Sequence, residues 1–375
     1  MIYKTIGQRH EEIPAIGQGC MGIGGYFQRN ADNDRRHLEA LKLGIDMGMT
    51  LIDTAEVYGN GHSEEIAGRA ARNMRDKIFL ATKVSPENLS YNDLLQSAEE
   101  SLRRLGTDYI DLFQVHWPNP GIPIEETMEG MKALKDQGKI RYVGVSNFSI
   151  NELRKAQAAI SPNTMVSIQV EYNLFDRTIE ENILPYCEEQ NLITIAYSPL
   201  DQGSVAMGST KIEKLRSIAE KYRKSIAQIA LNWLIRHPSV VVIPKAVKPD
   251  HIKANAEAAD FRLSEDDFAE IGDAFAQKIV HVPVENIFVI DDKQRDRRAY
   301  QTMEDAMENR LGFVPSPAEL AGSILAGEIL KPVRVRPSKN ESGEYEYDLV
   351  EGRIRYWAWV IAHGGKKPVP VYIRD

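Results

Sequence analysis

The sequence predicts an α/β chain, a (β/α)8 barrel with a small α+β module behind it. Short apolar runs alternate with helical stretches between about residues 36 and 260, at a spacing that implies parallel β-α-β units. Polar residues recur at the downstream ends of those runs, where a parallel barrel carries its chemistry. After Leu263-Ser264 the alternation stops and a different pattern begins.

The first strand is expected near Ala15–Gly19. Helical periodicity over 35–48 then leads into Thr50–Asp53, and 63–72 leads into Lys77–Thr82. The stretch 94–106 precedes Tyr109–Phe113, and 127–139 precedes Ile140–Val145. The stretch 152–160 precedes Met165–Val170, 181–191 precedes Ile193–Tyr197, and 226–237 precedes Val240–Ile243. These make eight β units, which fit a closed barrel better than a doubly wound sheet. A last helix is expected over 266–277, so the barrel is assigned 1–278 and the module 279–375. His281-Val282-Pro283-Val284 reads as a linker-like break. Beyond it, strands are expected near Ile287–Ile290, Val333–Arg336, Tyr345–Val350 and Val369–Ile373. Helices are expected near Ala299–Glu308, Pro317–Ala326 and Tyr356–Ala362, with Ser316-Pro317-Ala318-Glu319 as a start signal.

Composition narrows the function. The chain has 375 residues, 43% hydrophobic and 27% charged, which excludes a disordered or fibrous protein and suits about two domains. Its longest apolar runs are of strand length, too short for a membrane span. Met1–Pro14 lacks the apolar stretch of a signal peptide. Cys20 and Cys187 alone make neither a disulfide framework nor a cysteine-rich metal site, so a cytoplasmic protein with no metal is expected. The net charge is −8, and residues 281–375 hold 14 Lys and Arg against 15 Asp and Glu. Neither part has the positive charge that nucleic-acid binding needs.

The strand ends carry the chemistry. Asp53 follows the second strand, Lys83 the third, His116 the fourth, Ser146 and Asn147 the fifth. Gln169 ends the sixth, Tyr197 and Ser198 follow the seventh, and Lys245 follows the eighth. A phenol titrates near pH 10, too high to give up a proton readily at neutral pH. An ammonium at Lys83 would lower the pKa of Tyr58, Asp53 would hold that ammonium, and His116 could hydrogen-bond a substrate carbonyl. One such residue alone reads as packing; four at three successive strand ends read as a proton donor beside a carbonyl. Met21, Tyr26, Phe27, Tyr58 and Trp117 would form an aromatic, mostly apolar rim. Gly17–Gly22 spells a dinucleotide fingerprint, but no amphipathic helix follows directly. It is assigned to the first barrel loop, with glycines that let the chain approach a bound ligand closely.

These segments resemble the aldo-keto reductases over about residues 1–275. Asp53, Tyr58, Lys83 and His116 fall on that family's catalytic tetrad, and Gly138–Phe148, Gln169–Asn173, Ala196–Leu200 and Ile243–Ala246 match further family motifs. The resemblance implies reduction of an aldehyde, ketone or sugar-like carbonyl, or the reverse alcohol oxidation, with NADP(H). Ser146, Asn147 and Gln169 would hold the carboxamide, and Tyr197 would stack on the nicotinamide, with Met21 nearby. Ser198, Leu200 and Gln202, in a short loop, would line the pyrophosphate. Lys245, Ala246, Val247, His251 and Asn255 would hold the adenosine end. His251 and Ala254 stand where the family has Arg and Glu, which leaves NAD use open as well. A redox-sensing, NADPH-binding regulatory subunit with little turnover is the alternative, and the intact tetrad argues against it.

Residues 285–375 resemble the ParB/sulfiredoxin-like fold, on Glu319–Ile324, Ile329–Pro337, Tyr347–Tyr356 and Lys367–Val371. Gly352 and Arg355 match that fold's Gly-x-x-Arg turn, which implies a phosphate or nucleotide site and a bifunctional protein. The sulfiredoxin cysteine position is Arg353, which excludes that chemistry, and the partition-protein Glu-Arg pair reads Arg353-Ile354. A purely structural module, or one that mediates homo-oligomerisation, is the competing expectation.

Overall fold

The computed structural model describes residues 1–7, 11–161, 163–201, 210–276, 278–290, 299–313, 315–327, 331–338 and 345–373. The chain divides into two units, Met1–Phe275 and Ala276–Asp375. None of the described helices is long and apolar enough to cross a membrane.

The first unit opens with an antiparallel hairpin, β1 (Tyr3–Ile6) and β2 (Glu11–Pro14). Eight parallel strands follow: β3 (Gln18–Gly19), β4 (Leu51–Asp53), β5 (Phe79–Val84), β6 (Ile110–Val115), β7 (Ile140–Ser146), β8 (Met165–Glu171), β9 (Ile193–Tyr197) and β10 (Val240–Val242). They pair in sequence order, and the ring closes where Ile16 bridges Val242. Across this seam the Gly17 N–H donates to Val242 O at 2.8 Å and the Val242 N–H to Ala15 O at 2.9 Å. A Cβ on Gly19 would stand 2.6 Å from the Ile243 carbonyl oxygen, and one on Gly17 would stand 2.8 Å from the Leu51 side chain. The two glycines thus let the first strand pack closely, Gly19 across the seam and Gly17 against β4.

The helices are α1 (Asp34–Asp46), α2 (His62–Ala71), α3 (Tyr91–Leu105), α4 (Ile124–Asp136), α5 (Ile150–Ala158), α6 (Ile183–Gln190), α7 (Thr210–Tyr222), α8 (Ile226–Ile235), α9 (Pro249–Glu257) and α10 (Glu265–Ala274). The sequence reading missed α7 and α9. The start of α3 shows why the others were legible. Leu94, Ala98, Leu102 and Leu105 lie on its buried face, and Gly106 ends it with φ 65°. Strands β5 and β6 are buried along their whole length, because helices cover one face and the barrel interior the other.

Two apolar layers result. One lies between strands and helices. The other fills the barrel's lower interior with Leu51, Phe79, Ala81, Leu112, Ile193 and Val241. Ile6 and Ile13 of the hairpin join this inner cluster. Leu51, Phe79 and Ile193 begin their strands, so the hairpin seals the N-terminal end and leaves the opposite end for chemistry. The hairpin was not foreseen, since its strands bury only a residue or two each and show no apolar run.

The second unit is a five-stranded mixed sheet in the order β11-β15-β13-β14-β12. Its strands are β11 (Val280–Val282), β12 (Ile287–Val289), β13 (Val333–Pro337), β14 (Tyr347–Glu351) and β15 (Val369–Ile373). Its helices are α11 (Met303–Met307), α12 (Pro317–Leu325) and α13 (Arg353–His363). Val333, Val335, Leu349, Val371, Tyr356 and Trp357 form its core. The linker-like reading of 281–284 is corrected in part: β11 pairs antiparallel with β15, using a segment too short to read as a strand. Helix α11 is shorter than the expected 299–308, and α13 begins three residues before Tyr356.

Candidate active site

Above the apolar floor of the barrel the interior turns polar. Asp53 ends β4, Lys83 lies near the end of β5, Gln114 near the end of β6 and Gln169 in β8, and all four are buried. Lys83 Nζ donates to Asp53 Oδ1 at 2.5 Å and to the Thr54 carbonyl at 2.8 Å. Asp53 Oδ2 accepts from Gln169 Nε2 at 2.7 Å and from Gln114 Nε2 at 3.2 Å. A buried ammonium–carboxylate pair is tolerated only with its remaining lone pairs satisfied, and here they are.

Tyr58 enters from the loop between β4 and α2. Its N–H donates to Ala55 O at 3.1 Å, closing a turn, and the Glu56 N–H donates to Lys83 O at 3.2 Å. The Glu56 carboxylate fixes this loop to the next one, accepting from the Ser85 N–H at 2.6 Å, from Asn88 Nδ2 at 3.0 Å and from the Ser97 hydroxyl. Behind the loop, buried Glu64 accepts from Arg104 Nε at 2.5 Å and from Thr82 Oγ1 at 2.6 Å. Tyr58 Oη and His116 Nε2 lie 3.5 Å apart, and the Lys83 ammonium is 5.1 Å from the Tyr58 ring centre. His116 stacks on Trp117 with ring centroids 3.7 Å apart.

The electrostatics follow from burial. Burial works against the Lys83 charge, but Asp53 and Tyr58 outweigh it and hold the ammonium above the ordinary lysine range. Burial raises the Tyr58 phenol and Lys83 pulls it back, with the net still above the ordinary tyrosine value. The expectation of a lowered Tyr58 pKa is corrected accordingly: the Lys83 pull is present, but burial is larger. Burial, then the Lys83 charge, bring His116 down to about 2, so it is neutral at physiological pH. Its Nδ1 has no hydrogen-bond partner among the described residues.

The residues that resemblance gives to a cofactor surround the same end of the barrel. Asn147 ties three strand ends together: its Nδ2 donates to His116 O at 3.1 Å and to Ser146 Oγ at 3.1 Å, and its Oδ1 accepts from Tyr197 Oη at 2.9 Å. Its φ of 62° is the left-handed conformation that asparagine tolerates. Ser198 and Asp201 share that conformation in a tight turn, with the Asp201 N–H donating to Ser198 O at 2.9 Å. Leu200 is half-buried, and Gln202 lies outside the described residues. Lys245 is exposed just after β10, Ala246 and Val247 are half-buried, and His251 and Asn255 lie on α9, the first exposed and the second buried. The set fits a dinucleotide: hydroxyl and carboxamide side chains at the strand ends, a half-buried tyrosine ring, and an exposed cation.

Met21, Tyr26, Phe27 and Trp117 are all exposed, with Tyr26 at 63% and Phe27 at 59%, which is unusual for rings this large. In the second unit, Gly352 precedes α13 with φ 90°. Arg355 does not face open space there: it donates to Lys331 O at 2.8 Å and Pro332 O at 3.0 Å and pairs with Glu351 at 3.6 Å. The sequence reading missed Gln114, Glu56 and the Glu64–Arg104 pair. Gln114 had a signal, a polar residue inside an apolar strand two positions before His116.

The aldo/keto reductase family model matches residues 15–275. Methylglyoxal reductase YeaE of Escherichia coli is 38% identical over 70% of this chain and 91% of its own length. The glyoxal reductase of Bacillus subtilis is 35% identical over 69% of this chain and 88% of its own. An aldo/keto reductase from Klebsiella pneumoniae, crystallised with NADP and acetate, has a TM-score of 0.68 and 36% identity, covering 73% of this chain and all but 4% of that one (96%). With its closed parallel barrel and the buried strand-end residues described above, the chain belongs to the aldo/keto reductase family.

Proposed function

We propose that the chain is an NADP(H)-dependent carbonyl reductase, working in reverse as an alcohol dehydrogenase, with Tyr58 as the proton donor. One observation carries the reading: a buried phenol hydroxyl 3.5 Å from a neutral imidazole, beside an ammonium held by Asp53. NADPH, when bound, supplies the hydride that reaches the carbonyl carbon. Ser146, Asn147 and Gln169 would hold its carboxamide, and Tyr197 its ring. Ser198 and Leu200 would line the pyrophosphate, and Lys245, Ala246, Val247, His251 and Asn255 the adenosine end. An exposed lysine beside a 2′-phosphate supports NADP; a histidine at 251 grips it less firmly than arginine and leaves NAD as a second cofactor.

Tyr58 keeps its proton at neutral pH and gives it to the carbonyl oxygen as charge builds there. Lys83 stabilises the phenolate that remains, and Asp53 keeps Lys83 charged and oriented. His116, being neutral, offers a hydrogen bond rather than a proton. In the oxidation direction Tyr58 must be a phenolate, so that direction is favoured by alkaline pH. The exposed aromatic rim suits small aldehydes and ketones, and α-oxoaldehydes are the first substrates to try, given the named activities of the two relatives.

Tyr58→Phe is expected to lower carbonyl reduction by roughly 10²–10⁴-fold while NADPH affinity changes little, read by NADPH oxidation and by fluorescence titration. Unchanged turnover would overturn the mechanism. Tight NADPH binding with no turnover on any aldehyde in a wild-type panel would favour the regulatory subunit instead.

For residues 279–375 we infer a ParB/sulfiredoxin-like module. Gly352 at the start of α13 and Arg355 in its first turn support a phosphate site, but a nucleotide would have to displace the Lys331, Pro332 and Glu351 acceptors from Arg355. Titrating ATP, ADP and CTP into the NADPH-saturated protein should give heat and a thermal shift with one of them. Silence with all three would leave the module a structural role.

A further inference from the structure

We propose that Gln114 is a positioning residue for this reaction, holding Asp53 so that the Lys83 charge stays available to Tyr58. The inference rests on the reading of Tyr58 as proton donor. Gln114 lies in β6, in register with Lys83 on β5 and with Gly144 on β7. Its side chain is fully buried inside the barrel. An apolar residue would satisfy burial there at lower cost, as Leu112 does one layer down.

Space is reserved for it. A Cβ on Gly144 would stand 3.0 Å from Gln114 Cγ and 2.6 Å from Ser167 Oγ. The missing side chain at 144 is what admits the carboxamide at 114. The orientation of that carboxamide follows from its neighbour: facing a carboxylate, it must present its NH2 group. Nε2 accordingly donates to Asp53 Oδ2 at 3.2 Å, and Gln114 Oε1 stands 3.5 Å from Gln169 Nε2. Asp53 is thus held by one ammonium and two carboxamides.

The consequence for Tyr58 has a sign. Each donor to Asp53 spreads its negative charge. With Gln114 gone, the carboxylate draws more fully on Lys83, and less of the lysine charge is left to stabilise the phenolate. The Tyr58 ionisation then moves to higher pH, and alcohol oxidation, which needs the phenolate, moves with it.

The test is the pH profile of alcohol oxidation for the wild type, Gln114→Leu and Gln114→Met. Either variant should shift the alkaline rise upward by about half to one pH unit, a loss of about three- to tenfold at a fixed pH on that limb, with KM for the alcohol nearly unchanged. Ser167→Ala, in the same layer and with its hydroxyl unpartnered among the described residues, should leave the profile in place. A limb that stays put in both Gln114 variants overturns the proposal, whatever happens to Tm. Tyr58→Phe at high enzyme concentration separates the two readings. If the limb survives that change, the proton-donor reading fails. If it vanishes there but does not move in the Gln114 variants, only the role of Gln114 fails.

Discussion

In the barrel, ionised groups are buried in pairs; in the C-terminal unit they are kept largely at the rim of an apolar core. Asp53 with Lys83, Glu64 with Arg104, and Asp111 between Arg75 and Arg141 all place a carboxylate almost wholly out of water. The C-terminal core is instead Val335, Leu349, Val371 and Trp357, with ion pairs such as Arg310–Asp305 half in solvent. Two described groups of that unit are buried as well, Arg334 against a half-exposed Glu351 and Asp348 against a half-exposed Arg336. Burying charge is costly unless geometry compensates it, so each buried pair needs a reason. Asp111 joins strand starts to the hairpin through Arg141 and Glu11, and Glu64–Arg104 braces the Tyr58 loop. Of these three described sites, only Asp53–Lys83 also faces two uncharged acid–base groups, Tyr58 and His116. Buried charge therefore marks the barrel as a built machine, and the neighbouring neutral groups mark where in it the chemistry lies.

The largest expected effects come from breaking one region at a time. Lys83→Met leaves the Asp53 carboxylate uncompensated; it should cost about 3–5 kcal/mol of stability and roughly 10²–10⁴-fold in reduction. Trp357→Ala empties the C-terminal core and removes the Trp357 Nε1 bond to Tyr300 O at 2.8 Å. It should cost a similar 3–5 kcal/mol yet leave kcat unchanged. Thermal unfolding and steady-state reduction measured on both variants check this. A kcat that falls with Trp357→Ala would break the division between a catalytic and a non-catalytic unit.

Acid should separate the units next. His237 is half-buried against Trp233, Phe268 and Tyr172, and the loss of water around its ring pulls it down to about 4. Its folded-state pKa lies below the unfolded value of about 6.5, so its contribution is full above pH 6.5 and is lost as pH falls from about 6.5 towards 4. That loss is on the order of 3 kcal/mol, and His116 adds to it with the same sign. The C-terminal unit holds only exposed His281 and half-buried His363. His237→Phe keeps the ring contacts and removes the proton site, so its Tm should depend less on pH between 6.5 and 4. A curve as steep as the wild type's would show that other groups dominate acid unfolding.

How legible each unit was follows the same contrast. The barrel strands could be read because burial on both faces demands continuous apolar runs, and each run ends on a polar residue. Tyr58, Lys83, His116 and Asp53 are close together because those ends converge, which topology supplies and sequence spacing does not state. Residues that act on neighbours were harder to see. Gln114 and Gly144 lie 30 positions apart, and their exchange of volume exists only in the register of β6 with β7. Glu56 lies inside the motif itself, yet its partners Ser85, Asn88 and Ser97 come from the next loop and helix. The net direction of the Tyr58 shift was misjudged for a related reason. The sequence shows a charge nearby but not the depth of burial, and burial is the larger influence.

The smallest effects are also the sharpest test of whether two units means two transitions. Ser225 and Ser316 cap α8 and α12 in the same way. Ser225 Oγ accepts from the Gln228 N–H at 3.2 Å while Gln228 Oε1 accepts from the Ser225 N–H at 2.9 Å. Ser316 and Glu319 repeat this at 3.2 and 2.7 Å. Alanine at either position should cost about 1 kcal/mol. The same loss moves a small unit's midpoint further, because its unfolding entropy is smaller. For Ser316→Ala, in a unit spanning Ala276–Asp375, the expected shift is about 4–8 °C; for Ser225→Ala, in Met1–Phe275, it is about 2–4 °C. Calorimetry should therefore show two transitions, each answering to its own cap. If both variants instead move one shared transition by the same amount, the two units unfold as one, and a C-terminal lesion such as Trp357→Ala would reach the barrel's stability as well.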